Sequence, residues 1–142
     1  MQTVKQILEG KSNEVHGVTP ADTVLTAIKR MAELGVGALV VLENNKLVGI
    51  LSERDYARKI VLAGKSSKET PVRDIMSSPV LTTTLDGRAN DCMRLMTDRR
   101  IRHLPIVDGE LVVGMLSIGD LLKVVIFEQQ RVIDQLNSYI NS

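Results

Sequence analysis

The chain has almost no aromatic surface: no tryptophan, one phenylalanine and two tyrosines among 142 residues. Proteins that hold single-stranded nucleic acid stack bases on aromatic rings, and that platform is missing here. An excess of one charge is missing too. Eighteen basic and seventeen acidic side chains leave a formal net charge of +1. That gives no long-range pull toward DNA, RNA or an anionic membrane, so any anion site must be local. The single cysteine, Cys92, cannot close an internal disulfide. Two scattered histidines and that cysteine lack metal-ligand spacing, which predicts no bound metal. No apolar run approaches the roughly 18 residues of a membrane span, and Met1-Gln2-Thr3-Val4-Lys5 opens without a signal-peptide apolar stretch. These absences predict a cytoplasmic protein with neither a membrane nor a nucleic-acid partner.

What the chain does have is aliphatic residues, 44% hydrophobic in all, enough to build the core of one compact domain. It also repeats itself. At an offset of 65 residues without a gap, Gly49-Ile50-Leu51-Ser52-Glu53-Arg54-Asp55 lies over Gly114-Met115-Leu116-Ser117-Ile118-Gly119-Asp120. Thr19 and Thr84, Met31 and Met96, Leu39 and Leu104, and Val48 and Val113 also coincide. Cys92 falls where the first copy has Ala27, a core position and not a nucleophile. Two units, each too small for a good core alone, stack and make a cleft between them, and function is expected there.

Each copy predicts strand, helix, strand, strand, helix. Thr19-Pro20-Ala21-Asp22 looks like a helix start, and Val24, Ala27, Ile28, Met31 and Leu34 recur at helical spacing up to Gly35, a left-handed stop. Ala38–Leu42 is a β-branched run without alternation, suited to a strand covered on both faces, and Glu43-Asn44-Asn45 turns it into Leu47–Leu51. Ser52 then starts a helix reaching Gly64. In the second copy the helix spans Ala89–Met96, Asp108-Gly109 makes the tight turn, and the last helix continues to about Ile140. The predicted organisation is a brace helix in 1–14, a first unit in 15–64, a linker in 65–79 with a short helical bridge at Pro71–Met76, and a second unit in 80–142. Val132, Ile133, Leu136 and Ile140 form an apolar stripe beyond anything the first copy mirrors. The protein's own body, the N-terminal helix or a second copy must cover it, and a homodimer is the expectation.

The pattern Leu-Val-Gly-Ile-Leu-Ser-Glu-Arg-Asp, together with Arg100-Ile101-Arg102-His103-Leu104-Pro105-Ile106-Val107 and the second Gly-Met-Leu-Ser-Ile-Gly-Asp, resembles the tandem cystathionine β-synthase (CBS) domain pair, or Bateman module. The resemblance covers nearly the whole chain, and Ser52–Tyr56 with Ile101–Pro105 is similar to stand-alone CBS-pair proteins. It implies an α+β fold of two β-α-β-β-α units packed about a pseudo-twofold axis through their sheets. It also implies an adenosine-containing ligand, AMP or NAD first, with ADP, ATP or S-adenosylmethionine as alternatives.

In Gly-x-Leu-Ser-x-x-Asp, a carboxylate can accept from both ribose hydroxyls, which suits Asp55 and Asp120. Ser52 and Ser117, at a strand-to-helix junction, suit phosphate. The same Ser-x-x-Asp is also a capping box that needs no ligand. Arg54 has no basic counterpart at Gly119, so the two sites are unequal. Arg102 and His103 would bring donors, although a solvated arginine face and a packed histidine are the ordinary alternatives. Thr19 and Thr84 end the segments Val15–Thr19 and Val80–Thr84, the expected walls of an adenine slot with Val18 and Thr82. Leu39, Ile50, Leu104 and Met115 would add aliphatic surface, their ordinary role being sheet core.

No nucleophile–base pair, paired catalytic acids or cofactor fingerprint stands out. The expected function is therefore a non-catalytic adenine-nucleotide sensor that changes inter-unit or dimer geometry and is read by an effector protein the sequence does not identify. The alternative is a structural dimerisation module without nucleotide.

Overall fold

Ser, Thr and Gly at the ends of short aliphatic segments set several of the element boundaries in the computed structural model, which describes residues 2–11 and 14–142. Thr3 caps α1 (Val4–Glu9): its hydroxyl accepts from the Gln6 N–H, while the Gln6 side chain accepts from the Thr3 N–H. The first repeat then runs β1 (Gly17–Val18), α2 (Val24–Leu34), β2 (Ala38–Glu43), β3 (Lys46–Ser52) and α3 (Glu53–Tyr56). The second runs β4 (Thr83–Thr84), α4 (Ala89–Arg99), β5 (His103–Asp108), β6 (Leu111–Ser117) and α5 (Ile118–Ile140). The expected β-α-β-β-α order appears twice.

Each repeat forms a three-stranded sheet, in the orders β1-β2-β3 and β4-β5-β6. β1 lies parallel to β2, with Gly17 opposite Val40 and Val18 opposite Val41, and β4 lies parallel to β5, with Thr83 opposite Ile106. β2 and β3 form a hairpin with Ala38 opposite Ser52. Asn44 and Asn45 both take positive φ, the backbone a two-residue primed turn requires. Ala38, Leu39, Val40 and Val41 are all buried, as the unalternating run predicted. Leu39 and Val41 pack in a core with Val24, Ala27 and Met31 of α2. Gly35, at φ 67°, ends α2.

Two boundaries differ from expectation. The cap of α2 lies four residues after Thr19, because the Asp22 carboxylate turns back to the Thr19 N–H (2.8 Å) and Thr23 supplies the cap, accepting from the Thr26 N–H (3.1 Å). α3 stays α-helical for only one turn before widening over Ala57–Val61, where the Leu62 N–H reaches the Ala57 carbonyl five residues back.

The chain divides into two compact units: Glu14–Leu81 with Gly109–Val112, and Met1–Asn13 with Thr82–Asp108 and Val113–Ser142. Helix α1 therefore belongs with the second repeat although it precedes the first. The 3-10 turn Val72–Asp74, which leads toward the second repeat, belongs with the first. The two segments dock alike. Val4 N–H donates to the Gly87 carbonyl and Lys5 N–H to Leu85; Val72 N–H donates to Asp22 and Arg73 N–H to Pro20, positions 65 residues earlier. Val4 and Val72 are fully buried and Ile7, Leu8 and Ile75 nearly so. At about 2 kcal/mol for each buried aliphatic side chain, these braces are structural parts of their units and not fraying connections.

Candidate functional site

The repeated Gly-x-Leu-Ser-x-x-Asp motif sits where β3 runs into α3 and where β6 runs into α5. Its leucines, Leu51 and Leu116, are fully buried. Ser52 and Ser117 each cap the following helix: their hydroxyls accept from the Asp55 and Asp120 N–H groups, while the two carboxylates accept from the Ser52 and Ser117 N–H groups. The capping box anticipated as the ordinary reading is present in both copies. The glycines make room for the braces. A Cβ on Gly49 would sit 2.5 Å from Met76 Sδ, and one on Gly114 would sit 2.7 Å from Leu8 Cδ1.

The two carboxylates then diverge. Asp55 is 7% exposed, and both of its oxygens are taken. Oδ2 accepts from the Ser52 N–H (3.0 Å) and hydroxyl (3.1 Å); Oδ1 accepts from the Ser77 hydroxyl (3.1 Å) and from Lys59 Nζ (3.0 Å). Lys59 also donates to the Ile75 carbonyl, so the Asp55 cluster ties α3 to the brace. Asp120 uses only Oδ2, which accepts from the Ser117 N–H and from Lys11 Nζ, both at 2.8 Å. Lys11 also donates to the Met115 carbonyl (2.7 Å). Among the described residues, Asp120 Oδ1 has no hydrogen-bond donor. The second copy thus presents an open carboxylate oxygen beside a lysine whose side chain is itself about one-third exposed.

Burial pushes the Asp120 carboxyl up, but hydrogen bonds from Lys11 and Ser117 and the Lys11 charge outweigh it and hold the group below its ordinary value of 3.8. A carboxyl whose folded value lies below its unfolded one adds stability above about pH 4, and loses it as pH falls through the folded value. Lys11→Met should therefore cost about 1 kcal/mol near pH 7. In urea denaturation, the gap between wild type and variant should narrow as the pH is lowered toward 3.

The other predicted positions fall as follows. The Arg102 carbonyl accepts from the Ile118 N–H (2.9 Å), as the Gly37 carbonyl does from Glu53 (3.0 Å), so the start of β5 adjoins the start of α5. This brings exposed Arg102 and half-buried His103 to the Ser117–Asp120 end of their unit. Arg54 is exposed on the first turn of α3. Thr19 and Thr84 are not brought to these junctions. Val18 stands opposite Val41 and Ser52 opposite Ala38, which puts Thr19 roughly 13 Å along the sheet from Ser52. Thr84, opposite Val107, is likewise removed from His103. Leu39 and Leu104 are fully buried and Val18 nearly so, while Ile50, Thr82 and Met115 are half-buried. A hollow of about 530 Å³ between α2 and α3, lined by Ile28, Met31, Val36, Glu53 and Tyr56 among others, contains none of the predicted nucleotide contacts. Cys92 is buried as expected, and burial pushes its thiol up despite a hydrogen bond to Thr83.

Lys11, Lys59 and Ser77 are the polar partners that sequence reasoning missed. Lys59 was legible as an i,i+4 partner of Asp55. The other two belong to the braces. Val4-Lys5-Gln6-Ile7-Leu8 aligns with Val72-Arg73-Asp74-Ile75-Met76 at an offset of 68, so the repeat extends backward once a three-residue gap is admitted.

Comparison with known proteins agrees with that extent. The family model for the CBS domain matches residues 4–62 and again 72–126, each match starting at a brace valine. The chain is 41% identical over 147 residues to the mitochondrial CBS domain-containing protein CBSX3 of Arabidopsis thaliana, covering 97% of this chain and 71% of that one. A protein with CBS domains from Burkholderia ambifaria, described as a signal-transduction protein, is 47% identical with a TM-score of 0.87, over 90% of this chain and 96% of that one. A hexameric CBS-CP12 protein from bloom-forming cyanobacteria is 26% identical with a TM-score of 0.77, over 85% and 70% of the two chains. Among the described residues no helix is long and apolar enough to cross a membrane.

Proposed function

Because this chain belongs to the CBS domain family, as a tandem pair of the regulatory, signal-transduction type, we propose that it is a non-catalytic sensor of an adenine nucleotide, AMP or NAD, held at the Asp120 end of its second repeat. The observation that carries this reading is the open Oδ1 of Asp120 beside Lys11. A carboxylate oxygen accepts ribose hydroxyls, and the ammonium group of Lys11, with Arg102 nearby in the fold, supplies charge for phosphate. The start of the 23-residue helix α5 adds a favourable dipole for an anion. Asp55, with both oxygens engaged, serves its brace. ADP, ATP and S-adenosylmethionine present the same ribose, but the last lacks a phosphate for Lys11.

Sensing requires that the ligand bind one arrangement of the protein better than another, because equal affinity shifts no population. Lys11 provides a physical route: a phosphate that draws Lys11 from Asp120 loosens the α1 brace, and an effector protein reads the change. The test is calorimetric titration of nucleotide-stripped protein with AMP and with NAD. Saturable binding in the micromolar range is expected, about −8 kcal/mol at 1 μM. No heat and no thermal stabilisation from either ligand would overturn the reading and leave a structural pairing module, the alternative that the exposed apolar face of α5 favours.

A further inference from the structure

Helix α5 carries no buried residue after Val124, yet it continues to Ile140. Its later turns are not polar. Leu122, Ile126, Val132, Ile133, Leu136, Tyr139 and Ile140 are all exposed, Ile126 at 65% and Ile140 at 74%. At 100° per residue these side chains fall within roughly 140° of arc, so they make one stripe. Among the described residues nothing covers it: the side chains are exposed, and α1 is docked through Leu8 against Gly114.

The spacing along the stripe identifies what fits it. Ile126, Ile133 and Ile140 recur every seven residues, and Leu122, Gln129 and Leu136 form a second series of seven between them. These are the two core series of a heptad repeat, with β-branched residues in the first and leucine in the second, the distribution that favours two parallel strands. The positions on one flank, Lys123, Gln130 and Asn137, hold no run of like charge; those on the other, Val125, Val132 and Tyr139, are apolar.

The occupant is identified by Gln129, the one polar residue in the core series. A primary amide both donates and accepts, so in an in-register symmetric pair each Gln129 satisfies the other. A different partner would need a matching group at that depth. The seven exposed side chains together offer on the order of 800 Å² per copy, the amount a standard interface takes from each partner.

We propose that α5 pairs with α5 of a second copy of this chain as a parallel two-stranded coiled coil, with Ile126, Ile133 and Ile140 in one core series and Leu122, Gln129 and Leu136 in the other. The pairing does not depend on nucleotide binding, so either can fail alone.

Full-length Ile126→Cys and Ile140→Cys variants provide the test, since native Cys92 is buried and stays silent under mild oxidation. Each variant should cross-link to its own copy. Adding Ile133→Glu and Leu136→Glu should abolish cross-linking and raise the dimer dissociation constant at least about a hundredfold, by burying unpaired charge. The thermal midpoint of the diluted monomer should not move, because both side chains are exposed in the single copy. A monomeric wild type, cross-linking that survives the glutamates, or cross-linking only in a mixture of the two cysteine variants, as an antiparallel pair requires, would each overturn the proposal.

Discussion

Asp55→Ala should lower thermal stability by about 2–3 kcal/mol, which for a chain of this size is a fall in midpoint of roughly 6–12 °C. The loss has identifiable parts. The Ser52 N–H and hydroxyl lose their acceptor at the start of α3, the Ser77 hydroxyl loses its bond to the helix, and Lys59 is left with only the Ile75 carbonyl. Because Asp55 is buried, water does not easily replace the missing oxygens. Asp120→Ala should cost less, about 1–2 kcal/mol, since its surroundings are more open and it supports one brace contact, from Lys11, in place of two. Differential scanning calorimetry of the two variants side by side checks the order, and an equal loss would contradict the division of roles between the two aspartates.

Gly49→Ala should cost about 1–3 kcal/mol, the usual range for overpacking. The new methyl would lie 2.5 Å from Met76 Sδ, 2.9 Å from its Cγ and 3.2 Å from its Cβ. Turning the end of the Met76 side chain does not relieve the last contact, so the brace must shift, straining the Ser77–Ile50 backbone pair. Gly114→Ala should be milder, because the closest atom is a terminal methyl of Leu8 that can rotate away. Combining Gly49→Ala with Met76→Ala in urea denaturation should recover part of the loss, a coupling expected only for residues in direct contact. Additive losses would mean that Gly49 is needed for its backbone and not for the space it leaves.

Much of this architecture is local, and so it was legible in the sequence. The 65-residue offset gave the two units, helical spacing gave α2 and α4, paired asparagines and Asp-Gly gave the turns, and the alignment of Cys92 with Ala27 identified a core position. The braces were harder to read because their contacts are non-local. Leu8 meets Gly114 and Lys11 meets Asp120 more than 100 residues away, whereas an ungapped offset places Lys11 over Met76 and hides the match between Val4–Leu8 and Val72–Met76. The site was legible only as a residue pattern. Gly-x-Leu-Ser-x-x-Asp is the same string twice, and both copies form the same capping box. What distinguishes them is the environment of one oxygen: Ser77 and Lys59 fill Asp55 Oδ1, while the corresponding oxygen of Asp120 stays open because Lys11 and Ser117 both use Oδ2. Val124 stands where a lysine like Lys59 would have closed it.

The measurement that bears most directly on this account is calorimetric titration of the Asp120→Asn and Asp55→Asn variants with the nucleotide that binds the wild-type protein. Asparagine keeps the size of the side chain and an acceptor for the cap, but removes the charge proposed to receive the ribose hydroxyls. Asp120→Asn should weaken binding by at least about tenfold, or 1.4 kcal/mol, while lowering the thermal midpoint by only about 3–4 °C through loss of the Lys11 ion pair, whereas Asp55→Asn should lower the midpoint further and leave the affinity of the folded protein close to wild type. Loss of binding in Asp55→Asn with Asp120→Asn unaffected would contradict the account and move the site to the first repeat.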